Sequence, residues 1–387
     1  MKTLAAHPLW NRNLIIATGT ACLNVVGNGL WNALLPLYYR QLGASDSEIG
    51  LAFTLTMLAH TLLQIFGGVM ADRIGRRAIL FAMTLNAPLF VIAGTTGDWR
   101  VVLIAHSGTR MLMGTQWPAL FALISESVPR AAQGKAFGVF EFAIGVGATI
   151  GPAVGALLIS QFNVGIGALM AVHGVIVGCT AITRGVLMRE GARGAPPSAE
   201  QLRSAVSRDV LWFVLSLGLF SLAETLTLGG PFFALFTHDV WRASEAEINL
   251  LTSVGSFIGV LVGLWGGHWT DRAGARRVML VTAGGTGLTL VAWILSPTLA
   301  WGFAPVLANF VCVQILMVAQ QAQMSAMTSP QTRASMAGLM GTAQSLMGSS
   351  GPVVGAALVP LLGPASPFAL GALASLLSAC AVSHVKR

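Results

Sequence analysis

A lone carboxylate in the middle of an apolar run is the residue best placed to do chemistry in this sequence. Glu224 lies about midway along Val210 to Phe236. An ionised carboxylate at membrane depth costs several kcal/mol, so it is paired, hydrated or protonated. A group balanced among those states can carry a proton. Glu141 is a second embedded acid, nearer the start of its own run, and Arg110 is the embedded cation. These two are candidates for an ion pair, either structural or part of gating and proton relay, with His106 one turn from Arg110. His60 is of the residue type that changes charge near neutral pH. The competing reading makes it a hydrogen-bonded packing residue.

Uncharged polar side chains surround these groups at helical spacing. Asn24, Asn28 and Asn32 recur every four residues, and so do Thr56, His60 and Gln64. Each set therefore lies along one helical face. Amides turned toward lipid are costly, so both stripes face protein or water. They serve either as hydrogen bonds between helices or as the lining of a cavity. Asn309 adds an amide later in the chain, and Trp31 and Phe232 are the aromatic candidates for stacking on an amphipathic compound.

Two charged bends share one plan. Gly68 to Arg77 reads Gly-Val-Met-Ala-Asp-Arg-Ile-Gly-Arg-Arg, and Gly267 to Arg277 reads Gly-His-Trp-Thr-Asp-Arg-Ala-Gly-Ala-Arg-Arg. Asp72-Arg73 thus answers to Asp271-Arg272, 199 positions later. Gly68 and Gly75 permit close approach and a sharp turn. Asp72 at a helix end can face the positive end of another helix's dipole; the plainer reading of Arg73, Arg76 and Arg77 is that they set topology. Gly147, Gly151 and Gly155, with Pro152, form a row of small residues that lets two helices approach closely. Gly351, Pro352 and Gly355 repeat it 200 positions later. In both halves such a face can rock or seal.

Composition dictates the elements that hold these residues. The chain has 387 residues, 55% of them hydrophobic and 9% charged, with mean hydropathy +0.74. Soluble domains carry roughly 25% charged residues, so this is a membrane protein. Its long apolar runs predict helices rather than the short alternating strands of a barrel. We read twelve spans near 13–39, 47–70, 77–97, 100–127, 134–160, 165–184, 209–236, 246–269, 277–296, 300–327, 335–361 and 366–384. They divide into an N-terminal six-helix bundle (1–184), a polar linker (185–208) and a C-terminal six-helix bundle (209–387). With the N-terminus inside, only Arg40, Arg100 and Arg242 of the 22 basic residues fall outside, and Arg110 is embedded. The positive-inside rule then puts both termini in the cytoplasm. The net charge of +8 is topological and does not indicate nucleic acid. The four cysteines lie in apolar runs and read as packing residues. No P-loop, HExxH, GxSxG or clustered Cys/His pattern occurs, so no metal, no cofactor beyond the proton and no enzymatic activity are expected.

The repeat and its motifs resemble the major facilitator superfamily, and more narrowly its twelve-span drug:proton antiporters. Gly68, Ala71, Asp72, Arg73, Gly75, Arg76 and Arg77 match the superfamily's loop signature, with Met70 in a leucine slot. Arg110 and Gly114 resemble its fourth-span signature, and Gly147, Gly151, Pro152 and Gly155 match the fifth-span antiporter signature. The resemblance implies an all-α fold of two pseudo-symmetric bundles and alternating access in the cell inner membrane. It also implies a small-molecule substrate, the lipid bilayer as the other partner, and a monomer. In the family the partner of Asp72 is the start of span eleven, here Arg333 to Ala337, and the contact favours the outward-open state. Some such antiporters hold a second acid in span ten; here that span offers only amides. The expected function is proton-coupled export of a small amphipathic compound, with Glu224, Glu141 and His60 as proton-coupling candidates. The alternatives are proton symport of a sugar, organic acid or peptide, and a transporter-like receptor or scaffold.

Overall fold

Polar caps and glycine turns punctuate the apolar runs into helices. The structure, a computed structural model, describes residues 11–129, 132–190, 207–328 and 333–385. Within them the side chains of residues 65–69, 71, 72, 118, 264, 333–335 and 337 are outside the description. Among the described residues every regular element is helical.

The first half comprises α1 (Arg12–Gly29), α2 (Leu35–Gln41), α3 (Asp46–Ile74), α4 (Arg76–Ala82), α5 (Asn86–Thr95), α6 (Trp99–Glu126), α7 (Gln133–Phe162) and α8 (Ile166–Leu187). The second comprises α9 (Arg208–Thr225), α10 (Phe232–Asp239), α11 (Glu245–Ala273), α12 (Ala275–Ile294), α13 (Leu299–Met327), α14 (Arg333–Ser349), α15 (Gly351–Leu362) and α16 (Ser366–Ser383). Taken as spans, α1 with α2, α4 with α5, α9 with α10, and α14 with α15 each make one, which gives twelve. Nine of these segments are long and apolar enough to cross a membrane among the described residues. Arg208–Thr225 is not among them, since it packs Arg208, Asp209 and Glu224 into 18 residues.

Helix starts follow from side-chain acceptors for orphan N–H groups. Asn11 accepts from the Leu14 N–H at 2.9 Å, and Ser207 does the same for Val210 at 3.3 Å. Gly75 (φ 105°) and Gly274 (φ 85°) occupy matching turns in the two halves, where a side chain would be strained. Spans one and seven were expected to be continuous. Both are interrupted, at residues 30–34 and 226–231, ahead of or next to Pro36 and Pro231. Proline cannot donate to the preceding turn, so the helix restarts there.

Contacts group the chain into two units. One is 1–43, 59–194 and 245–253; the other is 44–58, 195–244 and 254–387. In the first, α1 packs along α7 and α8, and α5 packs on α6 and α8. In the second, α9 packs along α14 and α16, and α12 packs on α13 and α16. The two packing schemes are the same under the sequence repeat. Residues 44–58, which include the first part of α3, and 245–253 of α11 each fall in the unit opposite to the one the sequence boundary gives them. Each of these helices has 29 residues and runs about 43 Å.

Candidate substrate and coupling site

The glycine rows set how closely the interior helices approach. A Cβ on Gly147 would lie 2.7 Å from the Cys22 carbonyl oxygen, and one on Gly151 would lie 2.5 Å from that of Val26. Gly155 meets the Leu30 carbonyl in the same way. The row on α7 therefore presses backbone to backbone on α1. In the second unit Gly348, Gly351 and Gly355 pack against Ser221, Thr225 and Phe232. Gly114 plays a like part between α6 and α3, where an added Cβ would be 2.7 Å from the His60 carbonyl oxygen.

A polar seam joins span one to α8. The Arg184 Nε donates to Thr20 Oγ1 at 2.7 Å, Thr180 Oγ1 donates to Asn24 Oδ1 at 2.9 Å, and Trp31 Nε1 donates to His173 Nδ1 at 3.1 Å. Thr20 and Asn24 on α1, with Trp31 just past its end, follow one another at steps of four and seven; Arg184, Thr180 and His173 run down α8 at the same steps. Indole is a donor only, so His173 is neutral, with Nδ1 the acceptor. Phe90 and His106 flank the Trp31 ring at centroid distances of 5.8 and 5.7 Å. Nearby, His60 Nδ1 lies 3.0 Å from the Arg110 carbonyl oxygen. Thr56 is buried, and Gln64 is half-buried with its Oε1 unpartnered.

Several expectations require correction. Arg110 and Glu141 do not pair: no ion pair joins them among the described residues. Glu141 is exposed, one residue and so about 100° round the helix from buried Phe140. The asparagine stripe is broken. Asn24 faces α8, Asn28 is half-buried, and Asn32, itself exposed, falls beyond the end of α1 at the start of a 3-10 turn. Trp31, Phe232 and Asn309 are core residues, 0%, 3% and 1% exposed. Phe232 packs on Gly355, while Asn309 Nδ2 donates to Thr289 Oγ1 at 2.8 Å and ties α13 to α12. Their sequence signal, polarity or aromaticity in an apolar run, is shared by core and cavity.

Glu224 occupies the last turn of α9, just before the interruption of span seven. It is half-buried. Its backbone carbonyl accepts from Gly229 N–H at 2.9 Å, and a Cβ on Gly229 would be 3.1 Å from its Cγ. The glycine pair Gly229-Gly230 thus folds back beside the side chain. Among the described residues its carboxylate makes no hydrogen bond or ion pair.

The charged bend is partly described. Gly68, the Asp72 side chain and the side chains of Arg333 to Ser335 and Ala337 lie outside the described residues; Arg73, Asp271 and Arg272 are exposed. Arg76 pairs with Glu126. Arg77 Nε donates to the Gly185 carbonyl at 2.9 Å, at the C-terminal end of α8. Glu190, which sequence reasoning missed, accepts from the backbone N–H groups of Arg76 and Arg77 at 2.7 and 3.1 Å. In the second half Arg276, which answers to Arg77, donates to the Val382 and Ser383 carbonyls at the end of α16. Arg184 and His173 were missed as well; their spacing with Thr180 was the available signal.

A sequence model of the Major Facilitator Superfamily matches residues 17–240 and 215–385. The multi-drug resistance efflux pump PmrA homolog of Lactococcus lactis subsp. lactis is 27% identical over 70% of this chain and 69% of its own length. Quinolone resistance protein NorA of Staphylococcus aureus is 23% identical over 66% of each chain. The probable nitrate/nitrite transporter NarK2 of Mycobacterium tuberculosis is 26% identical over 78% of each. Among solved structures, the inward-facing, occupied bacterial homolog of the human lysosomal transporter Spinster gives a TM-score of 0.75. It is 16% identical, over 96% of this chain and 94% of that one. The human organic anion transporter MFSD10 gives 0.71, also at 16% identity, over 96% and 99%. At such identities the structures speak to fold alone.

Proposed function

Because the chain belongs to the Major Facilitator Superfamily, and so is a transporter, we propose that it exports a small amphipathic compound in exchange for protons, by alternating access in the cell inner membrane with both termini cytoplasmic. The observation that carries this reading is Glu224, a half-buried carboxylate at a helix interruption with no partner among the described residues. An acid in that setting alternates between protonated and ionised forms as its surroundings open to either side. Glu224 takes a proton from outside, releases it to the cytoplasm, and competes with substrate. Proton entry supplies about 2.3 kcal/mol per charge per 100 mV. Two relatives named for efflux and drug resistance and the fifth-span glycine row support export.

Symport of an anionic compound is the second reading. It draws on Arg110, an embedded cation with no ion pair among the described residues, and on the relative named for nitrate and nitrite. The two readings differ in sign. In inverted vesicles energised to an acid interior, adding a transported compound under exchange makes the lumen more alkaline, as a fluorescent pH probe reports. Acidification with substrate entry contradicts the export reading.

A further inference from the structure

We propose that Arg184, together with Asn24, forms a buried binding site for a small monovalent anion of the chloride class, within the α1–α8 seam of the first unit. Arg184 is 1% exposed. Its Nε is bonded to Thr20, but its Nη2 is buried with no hydrogen-bond partner, and no carboxylate pairs with it among the described residues. A guanidinium does not lose its proton in proteins, and a buried charge without a counter-charge carries a heavy desolvation penalty. Thr20 cannot relieve it further, because its own hydroxyl donates to the Ile16 carbonyl at 2.5 Å. One turn along α1, Asn24 is half-buried and its Oδ1 is taken by Thr180, which leaves the Nδ2 as a donor without a partner among the described residues. The seam thus offers donors and a positive charge, and lacks an anion.

The fold does not require this charge. Where α9 meets α16 in the second unit, the equivalent seam is closed by Ser216 and Ser378, whose hydroxyls lie 3.0 Å apart. Leu14, Ala17, Ala21, Ala181 and Met188 belong to the buried apolar cluster around the Arg184 end of α8, so the proposed occupant is a compact ion. Helical side chains lean toward their own N-terminus, which directs Arg184 along the seam toward Thr180 rather than out past the end of α8.

The test compares the full-length purified protein in sodium chloride and in sodium gluconate at equal ionic strength. Chloride should raise the thermal unfolding midpoint saturably over gluconate, nitrate should compete, and Arg184→Gln should abolish the increment. Equal midpoints in both salts, or an unchanged increment in the variant, overturn the site. Should Arg184→Gln fail to fold, bromide-soaked crystals of the wild type decide. An anomalous peak within hydrogen-bonding distance of the Arg184 guanidinium supports the site, and its absence there overturns it.

Discussion

Glu190 shows how a single side chain gives the charged bend its structural meaning. The positive end of a helix attracts a carboxylate, and Glu190 satisfies the first two N–H groups of α4 at once. Arg77 completes the exchange by placing its cation on a carbonyl at the end of α8. Replacing Glu190 with Ala should cost about 0.5–2 kcal/mol, in the range of a lost N-terminal cap, while Glu190→Gln should cost less. Thermal unfolding of the purified variants checks this; equal losses from Ala and Gln would show that charge and acceptor geometry are irrelevant there. The arginine pair was plain in the sequence because it recurs 200 positions on, as Arg276 and Arg277. Its acceptor was not, because Glu190 is 113 residues from Arg77 and lies within the stretch read as linker.

At the scale of elements, the four-residue glycine spacing on α7 was legible as a face, but not as a face pressed on α1. Spacing defines a direction on one helix, and only packing says what lies there. The structure now separates glycines of the same helix. Gly151 abuts the α1 backbone, whereas nothing lies within 4 Å of a Cβ on Gly138. Gly151→Val should destabilise by at least the ~1–3 kcal/mol of an overpacked core. Gly138→Ala should stabilise by roughly 0.5–1 kcal/mol through helix propensity alone. Melting midpoints shifting the same way for both would refute the assignment of the row. The breaks in spans one and seven were hidden for a different reason. Their flanks are as apolar as any helix, so only Pro36 and Pro231 hinted at them. The break matters, since it leaves Glu224 at a helix end rather than within a continuous run.

For the whole molecule, the offset of about 200 residues foretold more than class. Under it, α1 packs along α7 and α8 as α9 packs along α14 and α16. It also pairs contacts no single-residue motif suggested. Asn249 donates to the Leu30 carbonyl at 2.9 Å and Ser253 to that of Thr149 at 2.6 Å, inside the first unit. Gly50 and Thr54, 199 positions earlier, contact Pro352 and Val353 inside the second. Those exchanges were invisible in sequence because hydropathy assigns a helix to one bundle as a block. The cavity residues were the least legible. Interior polar groups satisfy one another between helices as readily as they meet a substrate, and Asn24, Trp31 and Asn309 did the former. Glu224 is the exception, and coupling by this carboxylate is what the functional account depends on.

The most direct measurement is substrate-driven proton movement in inverted vesicles carrying wild type or Glu224→Gln at matched, folded levels. Loss of lumen alkalinisation in the variant to the level of empty vesicles, with substrate binding retained, is the predicted result. Alkalinisation at the wild-type rate from Glu224→Gln would contradict the account.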